Sequence, residues 1–377
     1  MAIVIDISSK TSLGSLKYIS FLLKNFNNKK YGFNKIIVWC SEEFKNKLPI
    51  QKNIIYKTNF LLNNGPFFQF IWFFIKDFYL QKECEVLFSP YGNYLGFIKP
   101  YVVVSQNMLY FEDYERRRFG FTITRLKLKI SSIIQKISFK RASGIIFLSK
   151  YASLKIKKSV KINNIRSRII SFGIEKKFYS NVKIQKEISR YSPKNRFVFL
   201  YISTVFPYKN HINLIKAFNN LIIKGYPISI NLIGGGDSLL IEKIKNLIIS
   251  LEKSKNHINY LGNKSPRNIE KYYHKSDAFV FPSSCENLPN ILIEAMKSGL
   301  PISSSSLPPM NQILKKNAFY FNPYSIIEIE RAIIQLMHNP KKRSNFAINN
   351  QKFADNLTWE KCANKTFLFL KELTFED

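Results

Sequence analysis

Acidic side chains are scarce in this chain of 377 residues: 25 Asp and Glu stand against 58 Lys and Arg, a formal net charge of +33. The shortage is also local. From Arg116 to Arg168 there are sixteen Lys and Arg and no acid at all. A general enrichment in lysine and asparagine accounts for part of the total, but drift in composition does not empty so long a stretch of acids. A cationic surface there suits an anionic bilayer, a pyrophosphate-bearing substrate or nucleic acid. Cysteine is sparse as well: Cys40, Cys84, Cys285 and Cys362 lie far apart without ligand spacing. That argues against a disulfide framework or a zinc site and fits a reducing compartment. No uninterrupted apolar run reaches the ~20 residues of a membrane span. The N-terminal MAIVIDIS reads as a strand rather than a signal sequence, so a cytoplasmic protein is expected. No Asp-x-Asp-like cluster is visible, so no metal is expected.

What is present is a repeated alternation of apolar strands and amphipathic helices, with 46% apolar residues and length enough for two domains with separate cores. Ile3–Ile7 is a strand followed by a polar loop with Gly14 and a helix bearing Leu16, Ile19, Leu22 and Leu23. Strands follow at Lys35–Cys40, in NIIYKTN, at Val86–Pro90, at Tyr101–Met108 and in GIIFLSKYA. Between them, Pro66–Lys82 is an unusually aromatic helix, read either as a buried core helix or as one with a face in a membrane interface. YFEDYERRRFGFTITRLKLKISSIIQKISFKRAS reads as one long basic helical stretch. Residues 180–196 are polar, aperiodic and contain Pro193, as a linker would. A fresh strand–helix series begins at RFVFLYIST and ends in one amphipathic helix, LTWEKCANKTFLFLKEL. The expectation is an α/β chain of two doubly wound, Rossmann-like domains facing a central cleft. Residues 1–185 and 186–357 form the domains, and residues 358–377 form a terminal helix that packs back on the first.

In the second half, three loops at carboxyl ends of strands carry chemistry. STVFPYKN offers Lys209, IGGGD offers Gly235 between two further glycines, and SSCENLPN offers Glu286 before a helix with Pro289 in its first turn. A helix N-terminus with a lysine nearby is a natural seat for a diphosphate. Glu294 lies eight residues beyond Glu286, between Ile293 and Ala295 on a largely apolar helix. An acid there suits the two hydroxyls of a ribose. Each feature has a plain structural explanation: a solvated lysine, a turn glycine, a helix-start acid favoured by the dipole. Their occurrence in three successive loops favours a site.

These residues resemble a known family. Residues 197–323 are similar to the nucleotide-binding half of retaining GT-B glycosyltransferases of the group called glycosyl transferases group 1, or family 4. The marks are two glutamates separated by seven residues ahead of a Gly-Pro turn (ENLPNILIEAMKSGLP), the lysine-bearing YISTVFPYKNHINLIKAF, NYLGNKSPRNIEKYYHKSDAFVFPS and NAFYFNP. VVVSQNMLYFE and ASGIIFLSKYA resemble acceptor-domain segments of the same family more loosely.

The resemblance implies transfer of a hexose from a nucleotide diphosphate donor to an acceptor hydroxyl with retained configuration and no cofactor beyond that donor. It places Glu294 on the ribose, Glu286 on the sugar side, Lys209 on the diphosphate, and the backbone of Asn287, Leu288, Pro289 and Asn290 against phosphate and sugar. Gly14 lets the first loop approach the donor. Thr204 stands where many members have an arginine, Gln106 where many have a histidine, and Asn311–Gln312 where Pro-Glu is frequent. Lys209 then carries the phosphate charge without that arginine, and Gln106 serves a sugar hydroxyl rather than acting as a base. The cationic, aromatic first half suits a glycan or lipid-linked acceptor at the inner membrane face, in surface polysaccharide assembly. A nucleotide-sugar 2-epimerase of the same fold stays open at this point. Nucleic-acid binding is disfavoured, since no such module is present and a strand-end glutamate repels phosphate.

Overall fold

The computed structural model describes residues 2–8 and 13–374. Among them, thirteen strands form two sheets, in which every paired neighbour is parallel. The chain divides into two compact units. The first comprises Met1–Phe111, Phe121–Gly173 and Thr358–Asp377, and the second comprises Glu112–Gly120 and Ile174–Leu357.

The sheet of the first unit holds β1 (Ala2–Asp6), β2 (Lys35–Trp39), β3 (Ile54–Lys57), β4 (Val86–Ser89), β5 (Tyr101–Ser105), β6 (Gly144–Phe147) and β7 (Arg166–Ile169), in the order β3-β2-β1-β4-β5-β6-β7. That of the second holds β8 (Phe197–Ile202), β9 (Ile228–Ile233), β10 (Ile258–Tyr260), β11 (Ala278–Phe281), β12 (Ile302–Ser305) and β13 (Phe319–Phe321), in the order β10-β9-β8-β11-β12-β13. Central strands such as β1, β5 and β11 are buried along their whole length. Continuous apolar runs of this kind are what a parallel sheet covered on both faces requires. Six helices matter below: α1 (Leu13–Lys24), α2 (Pro66–Leu80), α3 (Ile123–Arg141), α4 (His211–Ile223), α5 (Asn290–Lys297) and α6 (Trp359–Glu372).

Two segments differ from the sequence reading, and a third departs from one of its two alternatives. The basic stretch after β5 is not one helix: it breaks near Gly120, whose φ of +64° suits a residue without a side chain. Residues 112–120 ahead of the break pack with the second unit. Residues 174–185, polar enough to read as the end of the first domain and a linker, also pack with the second unit. Phe178 is buried edge-on to Tyr273, and Arg343, wholly buried, donates to Gln185 Oε1 at 2.9 Å and to the Lys186 carbonyl. The aromatic helix α2 is not buried all round. It hides Trp72, Lys76, Asp77 and Leu80 and turns Phe67, Phe70, Phe74 and Phe78 outward. The terminal helix α6 lies with the first unit, where Trp359 stacks on Phe21 of α1 at 4.6 Å.

Candidate functional site

The order of the second sheet reverses between β8 and β11, which lie side by side although far apart in sequence. Ligands of open parallel sheets bind outside the carboxyl ends of strands at such a reversal. The loops leaving these two strands carry Lys209 and Glu286, and the structure brings the two together: Lys209 Nζ is ion-paired with Glu286 Oε1. Both side chains are largely buried, 8% and 13% exposed. Burial works against the lysine's charge, but Glu286 and the Tyr208 and Tyr201 hydroxyls outweigh it and hold its pKa above the usual lysine range. Its ammonium also lies over the Tyr208 and Phe281 rings, 4.9 and 5.8 Å from their centroids. A lysine so placed is a fixed positive charge rather than a solvated one.

The local backbone explains how it is held. Tyr201, on β8, donates its hydroxyl to the Lys209 carbonyl at 2.8 Å. Asn210 follows with φ +53°, a left-handed conformation that Asn tolerates better than most residues. Its amide donates to the Pro282 carbonyl at 2.8 Å, joining the loop after β8 to that after β11. His211, the first residue of α4, is buried against Tyr201 at 4.8 Å between ring centroids. Burial, and then the charge of Lys209, lower its pKa to about 3, so at neutral pH it adds no charge to the site.

Glu286 precedes α5, a helix of eight residues whose N-cap position is Pro289, one residue earlier than the first-turn position expected from sequence. Asn287 is buried, and Leu288 is partly buried against the apolar core. The N–H groups of Leu292 and Ile293 donate to the carbonyl of the N-cap Pro289, those of Asn290 and Ile291 have no partner within the helix, and the dipole end is positive. Glu294 lies about one turn further along. One of its oxygens accepts from the Tyr273 hydroxyl at 2.9 Å. Burial first, and that carboxylate second, push the Tyr273 hydroxyl well above its ordinary value, so it remains a donor.

Thr204 is exposed at the exit of β8. In the glycine loop after β9, Gly234 has φ +146°, and a Cβ there would fall 1.8 Å from the Ser203 carbonyl. Gly234 is therefore fixed by the close approach of the two strand exits. Gly235, the residue singled out from sequence, meets nothing nearer than Asn263 at 3.7 Å. In the first unit, Gln106 follows β5 and donates to the Pro90 carbonyl at 2.8 Å. Gly14 lies in the first turn of α1, not in the loop before it, and residues 9–12 of that loop lie outside the described residues.

Sequence reasoning passed over Tyr273, His211 and Arg118. Arg118, from the segment 112–120, donates to Asn210 Oδ1 at 2.7 Å and to Ser284 Oγ at 3.2 Å, so it ties the loop of Lys209 to that of Glu286. Buried Glu115 holds it at 2.9 Å, and Tyr324 donates to the same carboxylate. Nothing in the sequence distinguishes Arg118 from the fifteen other cations of the acid-free stretch. Tyr273 carried a faint signal, an aromatic in the short helix just ahead of β11.

Two Rossmann-like domains with these sheets are the GT-B fold, and it is shared along the whole chain with solved structures. The Anabaena protein HepE, solved in complex with UDP and glucose, matches over 99% of this chain and 100% of its own, with a TM-score of 0.71 and 17% identity. Residues 183–353, the stretch that contains the paired lysine and both glutamates, match the family described as Glycosyl transferases group 1. An uncharacterized glycosyltransferase of Haemophilus influenzae is 30% identical over 159 residues, 40% of this chain and 43% of that protein. The O-antigen chain mannosyltransferase RfbU of Salmonella typhimurium is 27% identical over 214 residues, 56% of each chain. The chain thus spans about half the length of these two relatives.

Proposed function

We propose that this chain is a glycosyltransferase that moves a hexose from a nucleotide diphosphate donor to a hydroxyl of a glycan or lipid-linked acceptor. It does so in the cytoplasm, with retained anomeric configuration and without a metal, in the assembly of a surface polysaccharide such as O-antigen or capsule. The observation that carries this reading is the buried Lys209–Glu286 pair at the β8/β11 reversal, with Glu294 one turn into the helix that follows. The match of that stretch to the group 1 family supports the reaction class. The naming of one relative as an O-antigen mannosyltransferase supports the pathway class, and the complex of HepE with UDP and glucose supports a nucleotide sugar as donor.

In the reaction, the bond from the anomeric carbon to the diphosphate oxygen breaks and its electron pair stays on the diphosphate. The acceptor oxygen bonds to the anomeric carbon and gives up its proton to an oxygen of the departing diphosphate. Negative charge builds on the leaving group, and the fixed ammonium of Lys209 and the N-terminus of α5 oppose it without having to reorganise. Because Lys209 rests on Glu286 before any donor arrives, the acid is placed where the sugar meets the phosphate. Glu294, which the Tyr273 hydroxyl positions, takes the ribose hydroxyls.

The test is a thermal-shift panel of nucleotide sugars, since a bound donor stabilises the folded state in proportion to its affinity. The donor found is then incubated with glycan acceptors, and the product's anomeric configuration is read by NMR with and without EDTA. Glu294→Gln is expected to weaken donor binding roughly tenfold or more, the loss of a charged hydrogen-bond partner. No shift with any nucleotide sugar would overturn the reading, and epimerised donor in the absence of acceptor would replace it with the epimerase.

A further inference from the structure

Helix α3 is inside out. Its buried face carries Ser132, Gln135 and Ser138 beside Phe139. Each has an internal partner: Ser132 donates to the Tyr110 carbonyl, Gln135 donates to the Tyr91 carbonyl at 2.9 Å while its Oε1 is left without one, and Ser138 Oγ accepts from the Tyr94 N–H at 3.1 Å. The apolar stripe faces out instead. Ile123, Leu126, Ile130, Ile133 and Ile137 recur at steps of three and four, the spacing of one helix face, and are 42 to 73% exposed. A surface helix ordinarily turns that stripe to the core. Here it is flanked by Arg125, Lys127, Lys129, Lys136, Lys140 and Arg141, with no acid on the helix.

The neighbouring helix α2 repeats the arrangement with aromatics. Phe67, Phe70, Phe74 and Phe78 are 59 to 69% exposed. The two charges of α2 are both turned inward: Lys76 pairs with Asp6 at 2.5 Å, and Asp77 accepts from the Tyr94 hydroxyl at 2.7 Å. The helices adjoin. Phe70 and Phe73 of α2 and Ile134 of α3 line one cavity of about 410 Å³. The loop between β4 and β5 exposes Phe97 against Phe78, while Arg141 of α3 donates to the Leu95 and Gly96 carbonyls of that loop at 3.0 Å.

We propose that this α2–α3 face of the first unit seats in the headgroup–acyl boundary of an anionic bilayer. Outward aromatics and aliphatics would enter the boundary, and the flanking lysines and arginines would reach back to the lipid phosphates. Charge decides between occupants. A second copy of this chain would set one acid-free helix against another, cation facing cation. Nucleic acid would answer the cations but leave the outward apolar side chains wet. The inference does not depend on the chemistry of the donor site, which the donor-induced thermal shift reads separately.

The test uses the full chain and co-sedimentation with phosphatidylcholine vesicles, with and without phosphatidylglycerol, at low and high salt. The wild type is expected to bind the anionic vesicles and not the neutral ones, and to release in high salt. Ile130→Ser/Ile133→Ser and Phe70→Ser/Phe74→Ser should each weaken binding by roughly tenfold through lost insertion, and Lys127→Ser/Lys129→Ser by a similar factor. All of these positions are exposed, so the donor-induced shift should stay unchanged. Three results would overturn the proposal: no binding to anionic vesicles, equal binding by wild type and the isoleucine variant, or a dimer in light scattering that the isoleucine variant dissolves. Displacement of vesicles by duplex RNA from the wild type and the isoleucine variant alike would do the same.

Discussion

His211 provides a stability switch whose size follows from its surroundings. It is 3% exposed, its ring meets Tyr201, its Nε2 lies 3.5 Å from Ser203 Oγ, and its Nδ1 is buried without a hydrogen-bond partner. Nothing there welcomes a proton, and burial together with Lys209 takes its pKa from the ordinary 6.5 to about 3. The unfolded chain therefore binds a proton at this residue as pH falls below 6.5, while the folded chain does not until about 3. Stability is at its full value above 6.5 and declines between those two values. Each pH unit in that window is worth about 1.4 kcal/mol. Between pH 6.5 and 4.5, before most carboxylates titrate, the loss from this one group is roughly 2 to 3 kcal/mol. Urea denaturation at steps from pH 7 to pH 4.5, on wild type and on His211→Phe, isolates it. The phenyl ring keeps the contact with Tyr201, so the two proteins should be about equally stable at pH 7. The variant's curve should be flatter by the stated amount. Parallel curves would refute the reasoning, because they would mean that the folded state accepts the proton as readily as the unfolded one.

Two further predictions concern the neighbouring charges. Lys209→Met leaves Glu286 charged and nearly buried without its partner, a change that costs about 3 to 5 kcal/mol. Adding Glu286→Gln should recover part of that loss, so the double variant is more stable than Lys209→Met alone although neither binds a donor. Strictly additive losses in chemical denaturation would show that the pair is not coupled. Arg118→Ala removes the tie between the loops of Lys209 and Glu286 and strips an ion-pair partner from buried Glu115, for about 1.5 to 3 kcal/mol given that the arginine is partly exposed. Arg118→Lys, which lacks the planar fork, should restore only part of it. An unchanged denaturation midpoint in Arg118→Ala would remove the residue from the site.

The parts of this fold legible in the sequence are those where one local rule acts alone. Strands buried on both faces must be apolar throughout, so β1, β5, β8 and β11 stand out as uninterrupted runs. Lys209 and Glu286 stand in loops that follow two of these runs, and Glu294 stands as an acid between Ile293 and Ala295 on a largely apolar helix; this is how the three could be singled out as candidates before any coordinates. Long-range choices are the illegible ones. Whether residues 174–185 belong to one unit or the other depends on Phe178 finding Tyr273 and on Arg343 finding the Gln185 amide and the Lys186 carbonyl, and no composition window contains both ends of such contacts. Periodicity misleads in a further way. The spacing in α3 correctly announces a helix with one apolar face, but spacing cannot say which way the face points. Ser132, Gln135 and Ser138 win the inward position because the Tyr110 and Tyr91 carbonyls and the Tyr94 N–H present hydrogen-bonding groups there, and a buried polar group that finds its partner costs little. The same competition explains α2, where the pairing of Lys76 with Asp6 draws the charged side of the helix under the sheet and leaves the phenylalanines outside. In both helices the orientation follows from buried polar partners, and the exposed apolar surface is the consequence.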